Sequence, residues 1–170
     1  MEKYLTLPAS EEDIPDLVRL INIAYRGGTE AGWTSEGAYL DGSRTDAPSI
    51  AALLQIPASV LLKCVDASGR LVGCVHLEEK DGHLHLGTFA ISPSIQAQGL
   101  GRLLLDRADA YALEKGCDRI VITVVSARAE LIDWYTRRGY VRTGRRIPFP
   151  AKWGTPKFEV DFVEMERVVV

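Results

Sequence analysis

Residues Gln96-Ala97-Gln98-Gly99-Leu100-Gly101 limit what this chain can fold into more than any other six. They separate an apolar run that predicts a strand, Leu84 to Ile91, from a run with helical periodicity, Leu100 to Lys115. Two glycines at the mouth of a helix let the backbone turn tightly and approach a ligand with no Cβ in the way. The first-turn amides of such a helix have no internal partner, and the helix dipole adds partial positive charge there. A phosphate or pyrophosphate suits that mouth. A lone Gly-x-Gly more often only bends a turn, so the reading depends on what surrounds it.

Two familiar phosphate loops are excluded. A P-loop needs Gly-Lys-Ser/Thr, and here Arg102 and Leu103 follow Gly101. A dinucleotide fingerprint needs a third glycine, where Leu104 stands, and an acid at the end of the next strand, whereas Asp118 precedes the strand Ile120 to Val125.

The chain of 170 residues, 46% hydrophobic and 25% charged, is sized and composed for one core, so residues 1–170 are read as a single domain. A net charge of −3 and a pI near 5.6 argue against a nucleic-acid partner. Met1-Glu2-Lys3-Tyr4 lacks an apolar signal core, and no apolar run reaches membrane-spanning length, so no membrane partner is expected. Cys64, Cys74 and Cys117, with no Cys-x-x-Cys, read as isolated thiols of a reducing compartment, and a cytoplasmic location is expected.

The elements follow from periodicity and punctuation. Tyr4 to Leu7 predicts a strand. Ser10 with Asp13 caps a helix whose Ile14, Leu17, Val18, Ile21 and Ala24 recur at helical spacing, ending at Gly27-Gly28. A polar, glycine-rich stretch, Gly28 to Asp46, precedes a short helix over Ser49 to Gln55. Val60 to Val65 and Leu71 to Glu79 predict a hairpin turning at Asp66 to Gly69, and Asp81-Gly82 turns the chain again into His83 to Ile91. Ile120 to Val125 is apolar throughout, as a strand buried on both faces would be. Ser126 opens a last helix that Gly139 ends, and Tyr140 to Thr143 and Phe158 to Val168 supply two more strands around Pro148-Phe149-Pro150. Hairpin connections before the glycine loop and helical connections around it predict a mixed α/β sheet.

Gln-x-x-Gly-x-Gly opening a helix, then a strand, then a helix ending Leu131-Ile132-Asp133-Trp134-Tyr135-Thr136-Arg137-Arg138-Gly139-Tyr140, resembles the acyl-CoA loop and C-terminal half of the GNAT acetyltransferase superfamily. The close resemblance covers residues 84 to 144, and the remainder agrees in the order of elements. It implies a mostly antiparallel central sheet of about seven strands flanked by about four helices. It also implies direct acetyl transfer from acetyl-CoA, as co-substrate, to an amine, with no metal. Edge strands in the family often pair between subunits, so a homodimer is compatible with the resemblance.

The resemblance assigns roles residue by residue. Gln96, Ala97, Gln98, Gly99, Leu100, Gly101 and the Arg102 side chain would hold the pyrophosphate, although a solvated Arg102 fits the helix equally well. The strand before the loop is often splayed from the next in this family. Backbone groups around Phe89, Ala90 and Ile91 would then take the pantetheine arm, and one N–H there would stabilise the oxyanion. Tyr135 is the expected general acid. A tyrosine (reference pKa about 10) giving its proton fully to a thiolate (about 8.5) goes uphill by roughly 2 kcal/mol, so hydrogen bonding to sulfur is the expected help. Where the family often has Asn near the start of the last helix, this chain has Arg128; either Arg128 binds phosphate or Ser126 substitutes.

The amine must lose a proton before it attacks. His85 stands where several family members have a catalytic glutamate, and an imidazole titrating near 6.5 suits a base acting directly or through water. Glu78 on the preceding strand competes for that role, and a half-buried structural histidine explains His85 equally well. For the acceptor, the family points to the early helices and the loop before the last strand, here Tyr25 to Asp46 and Arg145 to Gly154. Tyr25, Trp33 and Tyr39 offer apolar or cation–π surfaces, and Phe149, Trp153, Glu30, Glu36 and Asp41 are further candidates. A small-molecule amine is the expected acceptor. A protein or peptide N-terminus, and a non-catalytic acetyl-CoA-binding regulatory module, are the alternatives.

Overall fold

Ser10 fixes how the first helix starts. Its backbone N–H donates to the Asp13 carboxylate at 2.8 Å across a single 3-10 turn, Glu11–Asp13, between strand β1 (Tyr4–Pro8) and helix α1 (Ile14–Arg26). The structure, a computed structural model, describes residues 3–26, 40–41, 44–95, 98–148, 155–156 and 161–169. Within α1 the spaced apolar residues Leu17, Leu20, Ile21 and Ala24 are all buried. A two-residue strand, β2 (Leu40–Asp41), precedes α2 (Ala47–Leu54). Helix α2 begins two residues before the expected Ser49, because Asp46 is the cap and its Oδ1 accepts from the Ser49 N–H at 2.9 Å.

Three strands then run as a meander: β3 (Ser59–Asp66), β4 (Leu71–Lys80) and β5 (His83–Ile91). Asp81 and Gly82, at φ 56° and 79°, make the tight turn that Asp-Gly predicts, since both central residues need positive φ. Helix α3 (Leu100–Glu114), strand β6 (Arg119–Val125) and helix α4 (Ala129–Thr136) follow, then β7 (Val141–Pro148), a second short strand β8 (Thr155–Pro156) and β9 (Asp161–Val168).

Seven strands form one sheet in the order β1-β3-β4-β5-β6-β9-β7, and β5–β6 is its one parallel pair. Strands β2 and β8 pair separately. With four α-helices among the described residues, this is the mixed, mostly antiparallel architecture that the sequence predicts. Helices α1 and α2 pack through Leu17, Ile21 and Ile50 on Leu61, Cys74 and Ala90 at one face. Helices α3 and α4 cover the other through Leu100, Leu104, Ala108 and Ile132, against Val75, Leu77, Leu84 and Ile122. Each such leucine, fully buried, contributes about 1.5–3 kcal/mol. The three cysteines are free and buried, and no described helix is long and apolar enough to cross a membrane.

Two further expected boundaries move. The last helix starts at Ala129, because Ser126 to Arg128 form a turn in which the Arg128 N–H donates to Val125 O at 3.0 Å. The strand expected over Tyr140 to Thr143 runs to Pro148, because an irregularity between Arg142 and Arg146 lets β7 stay paired with β9. The described part of the final strand begins at Asp161; the expected Phe158 start, Gly27-Gly28 and most of the glycine-rich stretch lie outside the described residues.

Candidate active site

Strands β5 and β6 are paired only at their starts, Leu84 with Ile120 and His85 with Val121. Beyond those pairs β5 stays with β4 as far as Ile91, and β6 stays with β9 as far as Val125. The sheet therefore opens as a wedge between two strands that each keep an outer partner. A cavity of about 580 Å³ lies there, walled by the second half of β5, the mouth of α3, the second half of β6 and the inner side of α4.

A β-bulge accompanies the opening. Cys74 opposes Ala90 and His76 opposes Gly87, so Thr88 and Phe89 together face Val75. Thr88 has φ 47°, a conformation a β-branched residue adopts only under constraint. Part of that constraint is visible, because the Cys74 thiol donates to the Thr88 carbonyl at 3.4 Å. Gly87, Thr88, Phe89, Ala90 and Ile91 all line the cavity.

At the mouth of α3, Gly99 is the N-cap with φ 82°, and a Cβ placed on it would meet nothing within 4 Å among the described residues. The glycine is required by its left-handed backbone, and it leaves an unobstructed approach to the helix N-terminus. Gly101 also has a packing role. A Cβ there would lie 3.1 Å from the Trp134 ring and 3.2 Å from Ile91, so this glycine lets α4 pack on α3. Leu100, Gly101 and Arg102 also line the cavity. Gln98 does not; its side chain accepts from Lys3 Nζ at 3.0 Å and from the Tyr4 hydroxyl at 3.1 Å. Gln96 and Ala97 lie outside the described residues.

Helix α4 supplies the far wall. Phe89, Trp134, Tyr135 and Tyr140 form a continuous row of rings, with centroids 6.3, 5.1 and 5.4 Å apart and the last two contacts edge-to-face. Tyr135 is 4% exposed and lines the cavity. Burial raises its pKa, with the nearby Tyr25 and Tyr140 adding to the shift and Arg128 and Arg138 opposing it. The phenol therefore stays protonated at neutral pH.

The cavity is also cationic. Arg44, Arg102, Arg128 and Arg138 line it, and among these the sequence reading missed Arg44 and Arg138. The Arg138 guanidinium lies 3.6 Å over the Trp134 ring, and its Nη1 donates to the Trp134 carbonyl at 2.9 Å. Its Nε is buried with no hydrogen-bond partner among the described residues. Burial chiefly, and the nearby Arg102 and Arg137 in addition, lower the Arg138 pKa. Phosphates fit this set: an open helix mouth, a desolvated guanidinium with an unused donor, and a second arginine beside it. The signal in the sequence was Arg137-Arg138 immediately after the end of a helix, which reads equally well as a favourable pairing with the helix dipole.

Other expected residues are sorted by the fold. Arg128 is 5% exposed and reaches the cavity from the turn before α4. Ser126 is outside the lining, and its hydroxyl accepts from the Asp161 N–H at 3.4 Å. Tyr25 lines the cavity, with the Arg44 guanidinium 5.0 Å over its ring. Trp33, Tyr39, Phe149, Trp153, Glu30 and Glu36 lie outside the described residues.

His85 and Glu78 do not line the cavity. They are a directly opposed pair on β5 and β4, on the face of the sheet that α1 covers at its other end. Thr123 of β6, which does line the cavity, shares that face by register and opposes Glu164 of β9. Glu164 is held by Arg145 at 3.4 Å and by the Thr143 hydroxyl at 3.1 Å. His85 has its pKa lowered chiefly by burial and also by Lys80, while Glu78 and Glu164 oppose the shift. It is therefore a neutral imidazole at pH 7, with carboxylates to either side.

Known proteins resemble the chain in the same regions. The family model of the acetyltransferase (GNAT) family matches residues 20–140. A mycothiol acetyltransferase of Salinispora tropica is 26% identical over 164 residues, which is 88% of this chain but 53% of that relative, so the chain spans about half the relative's length. Among solved structures, Ard1 from Thermoplasma volcanium matches with a TM-score of 0.74 at 17% identity, covering 99% of both chains. A spermidine N-acetyltransferase from Vibrio cholerae, in complex with CoA and spermine, matches with a TM-score of 0.72 at 17% identity, covering 98% of this chain and 96% of that one. At these identities the structures report the fold alone.

Proposed function

Because the chain belongs to the GNAT acetyltransferase family, we propose that it transfers an acetyl group from acetyl-CoA to a primary amine of a small molecule. The observation that carries this reading is the wedge between β5 and β6, which holds an apolar cavity with cations at one end and a protonated tyrosine in its wall. Acetyl-CoA supplies an activated thioester; the remainder of the chemistry falls to side chains and backbone of this protein.

Gly99 and the first-turn amides of α3, with Arg102 and Arg138, bind the phosphates. The bulged backbone from Thr88 to Ala90 receives the pantetheine arm and offers an N–H to the acetyl carbonyl, where negative charge develops. Tyr135 donates a hydrogen bond to the sulfur as the C–S bond breaks. The amine comes from the face that carries Thr123, Glu164 and Glu78, and gives its proton to His85. His85 stands outside the cavity wall, so the proton reaches it through water. A small acceptor is supported by the relative named mycothiol acetyltransferase, and by carboxylates that would attract a cationic amine.

The test is a thiol-release screen with acetyl-CoA across amines, amino acids and peptide N-termini, paired with calorimetry of CoA binding. Turnover with small amines and none with peptides supports the reading. CoA binding without turnover on any amine would instead identify a binding module.

A further inference from the structure

All three histidines of the chain stand on one face of a single hairpin. His76 opposes Gly87, Glu78 opposes His85, and Lys80 opposes His83 across β4 and β5, and alternate residues of a strand share a face. His83 is engaged, its Nδ1 lying 2.9 Å from Asp118 Oδ1. His76 is 5% exposed, and its Nε2 has no hydrogen-bond partner among the described residues. A buried polar atom left in that state calls for an occupant, most simply a water.

Gly87 indicates where that water sits. Every other described glycine either has a left-handed φ or would bring a Cβ against a neighbouring atom. Gly87 has neither: its φ is ordinary, and a Cβ there would meet nothing within 4 Å among the described residues. It also lines the cavity. Packing and backbone geometry therefore give no reason for glycine, and the space over it adjoins both His76 and the wedge. His85 is the diagonal neighbour of His76, with backbones about 7–8 Å apart, which is the reach of two imidazoles joined by one water.

We propose that His76 is a positioning residue, holding a water over Gly87 against His85, and that this water relays the proton leaving the acceptor amine. The water donates one hydrogen bond to His76 Nε2 and the other to a ring nitrogen of His85, and accepts from the amine N–H. As the amine proton moves to the water oxygen, the water's own proton moves to His85. The water is regenerated, His85 becomes imidazolium, and His76 keeps its charge. The proposal rests on the acetyltransferase reading of the same cavity.

The surroundings agree. Burial lowers the pKa of His76, opposed by Glu78, so the ring is neutral and free to accept. The charged groups on this face include Glu78 and Lys80 of β4, His83 of β5, Arg119 of β6 paired with Glu166 of β9 at 3.3 Å, Glu164 of β9 held by Arg145 of β7, and Lys63 of β3, which is tied to Asp13 at 2.9 Å. From helix α1, Tyr25 reaches the cavity, and the buried Leu17, Leu20, Ile21 and Ala24 carry no charge.

The test follows the three imidazole resonances by NMR against pH, with kcat/KM against pH and acetyl-CoA affinity by calorimetry. The proteins are wild type, Gly87→Ala, His76→Leu and His76→Gln. A bridging water that accepts from imidazolium stabilises it. Displacing the water with the alanine methyl should lower the His85 midpoint by about half a pH unit or more. It should also lower kcat about 10-fold or more while leaving acetyl-CoA affinity unchanged. His76→Leu should do the same, and His76→Gln, whose amide oxygen accepts the same hydrogen bond, should recover part of the loss. An unmoved His85 midpoint in Gly87→Ala overturns the proposal, even if kcat falls, because the methyl would then only obstruct the cavity. If a His76 variant fails to fold, Gly87→Ala decides alone. The NMR arm needs no turnover, so wild-type protein that neither binds CoA nor consumes an amine would sink the acetyltransferase reading separately.

Discussion

Gly101 is the seat of Trp134: a Cβ on the glycine would lie 3.1 Å from the indole ring. The second helical residue after the loop is thus small so that an aromatic of α4 can close one wall of the cavity, with Arg138 stacked 3.6 Å over the same ring. A glycine of α3, a tryptophan of α4 and an arginine just past the end of α4 depend on one another for position.

That dependence separates the two glycines of the loop. Gly101→Val should destabilise the fold by about 1–3 kcal/mol through overpacking, seen as a lowered denaturation midpoint, and should weaken CoA binding by shifting Trp134. Gly99→Ala should cost about 1 kcal/mol for its left-handed φ and meet no steric obstacle, so its larger effect should be on CoA affinity. Equal loss of stability in both would contradict this division.

Arg138→Met keeps much of the side chain's bulk over Trp134 and removes the charge. CoA affinity should drop about 10-fold, as expected for a lost charge-assisted hydrogen bond, and its dependence on salt should weaken. Calorimetry at two ionic strengths reads both; unchanged affinity would remove Arg138 from the phosphate site.

Tyr135→Phe retains the ring and its edge-to-face contacts with Trp134 and Tyr140. Acetyl-CoA should still bind, while kcat falls by roughly 10²–10⁴-fold. Wild-type turnover in this variant would mean that the thiolate leaves unaided.

His85 in the folded protein titrates below the ordinary histidine value, so the limb of kcat/KM that it governs should lie on the acid side of about 6.5, and lower than composition alone suggests. His85→Gln should abolish that limb. If the limb persists, Glu78 or solvent is the base.

Stability should follow the same two histidines. Burial lowers the folded pKa values of both His76 and His85, so as pH falls the unfolded chain takes up protons first. Stability then rises with pH across that interval: it is fully present above about 6.5 and is lost as pH falls through the window down to the folded values. Urea midpoints at pH 7.5 and 5.5 should differ, and less so in His76→Gln. An identical difference in the variant would show that other groups carry it.

Much of the site was legible because it is local in sequence. The left-handed turn at Gly99, the helix behind it, the apolar strand Ile120 to Val125 and the Trp134-Tyr135 pair each follow from residues a few positions apart, where steric limits and periodicity act directly. The sequence by itself therefore determined the order of elements, the phosphate-suited helix mouth and the tyrosine of the last helix. Only the tertiary structure decided the rest. Registry between distant strands set His76 beside His85 and Glu164 opposite Thr123, and carried His85 onto a face adjoining the cavity but outside its wall. The packing of α4 on α3 gave Gly101 its purpose and Arg138 its desolvated charge. Such contacts join residues tens of positions apart, and which of them form is fixed by how whole strands and helices pack, which no local spacing encodes.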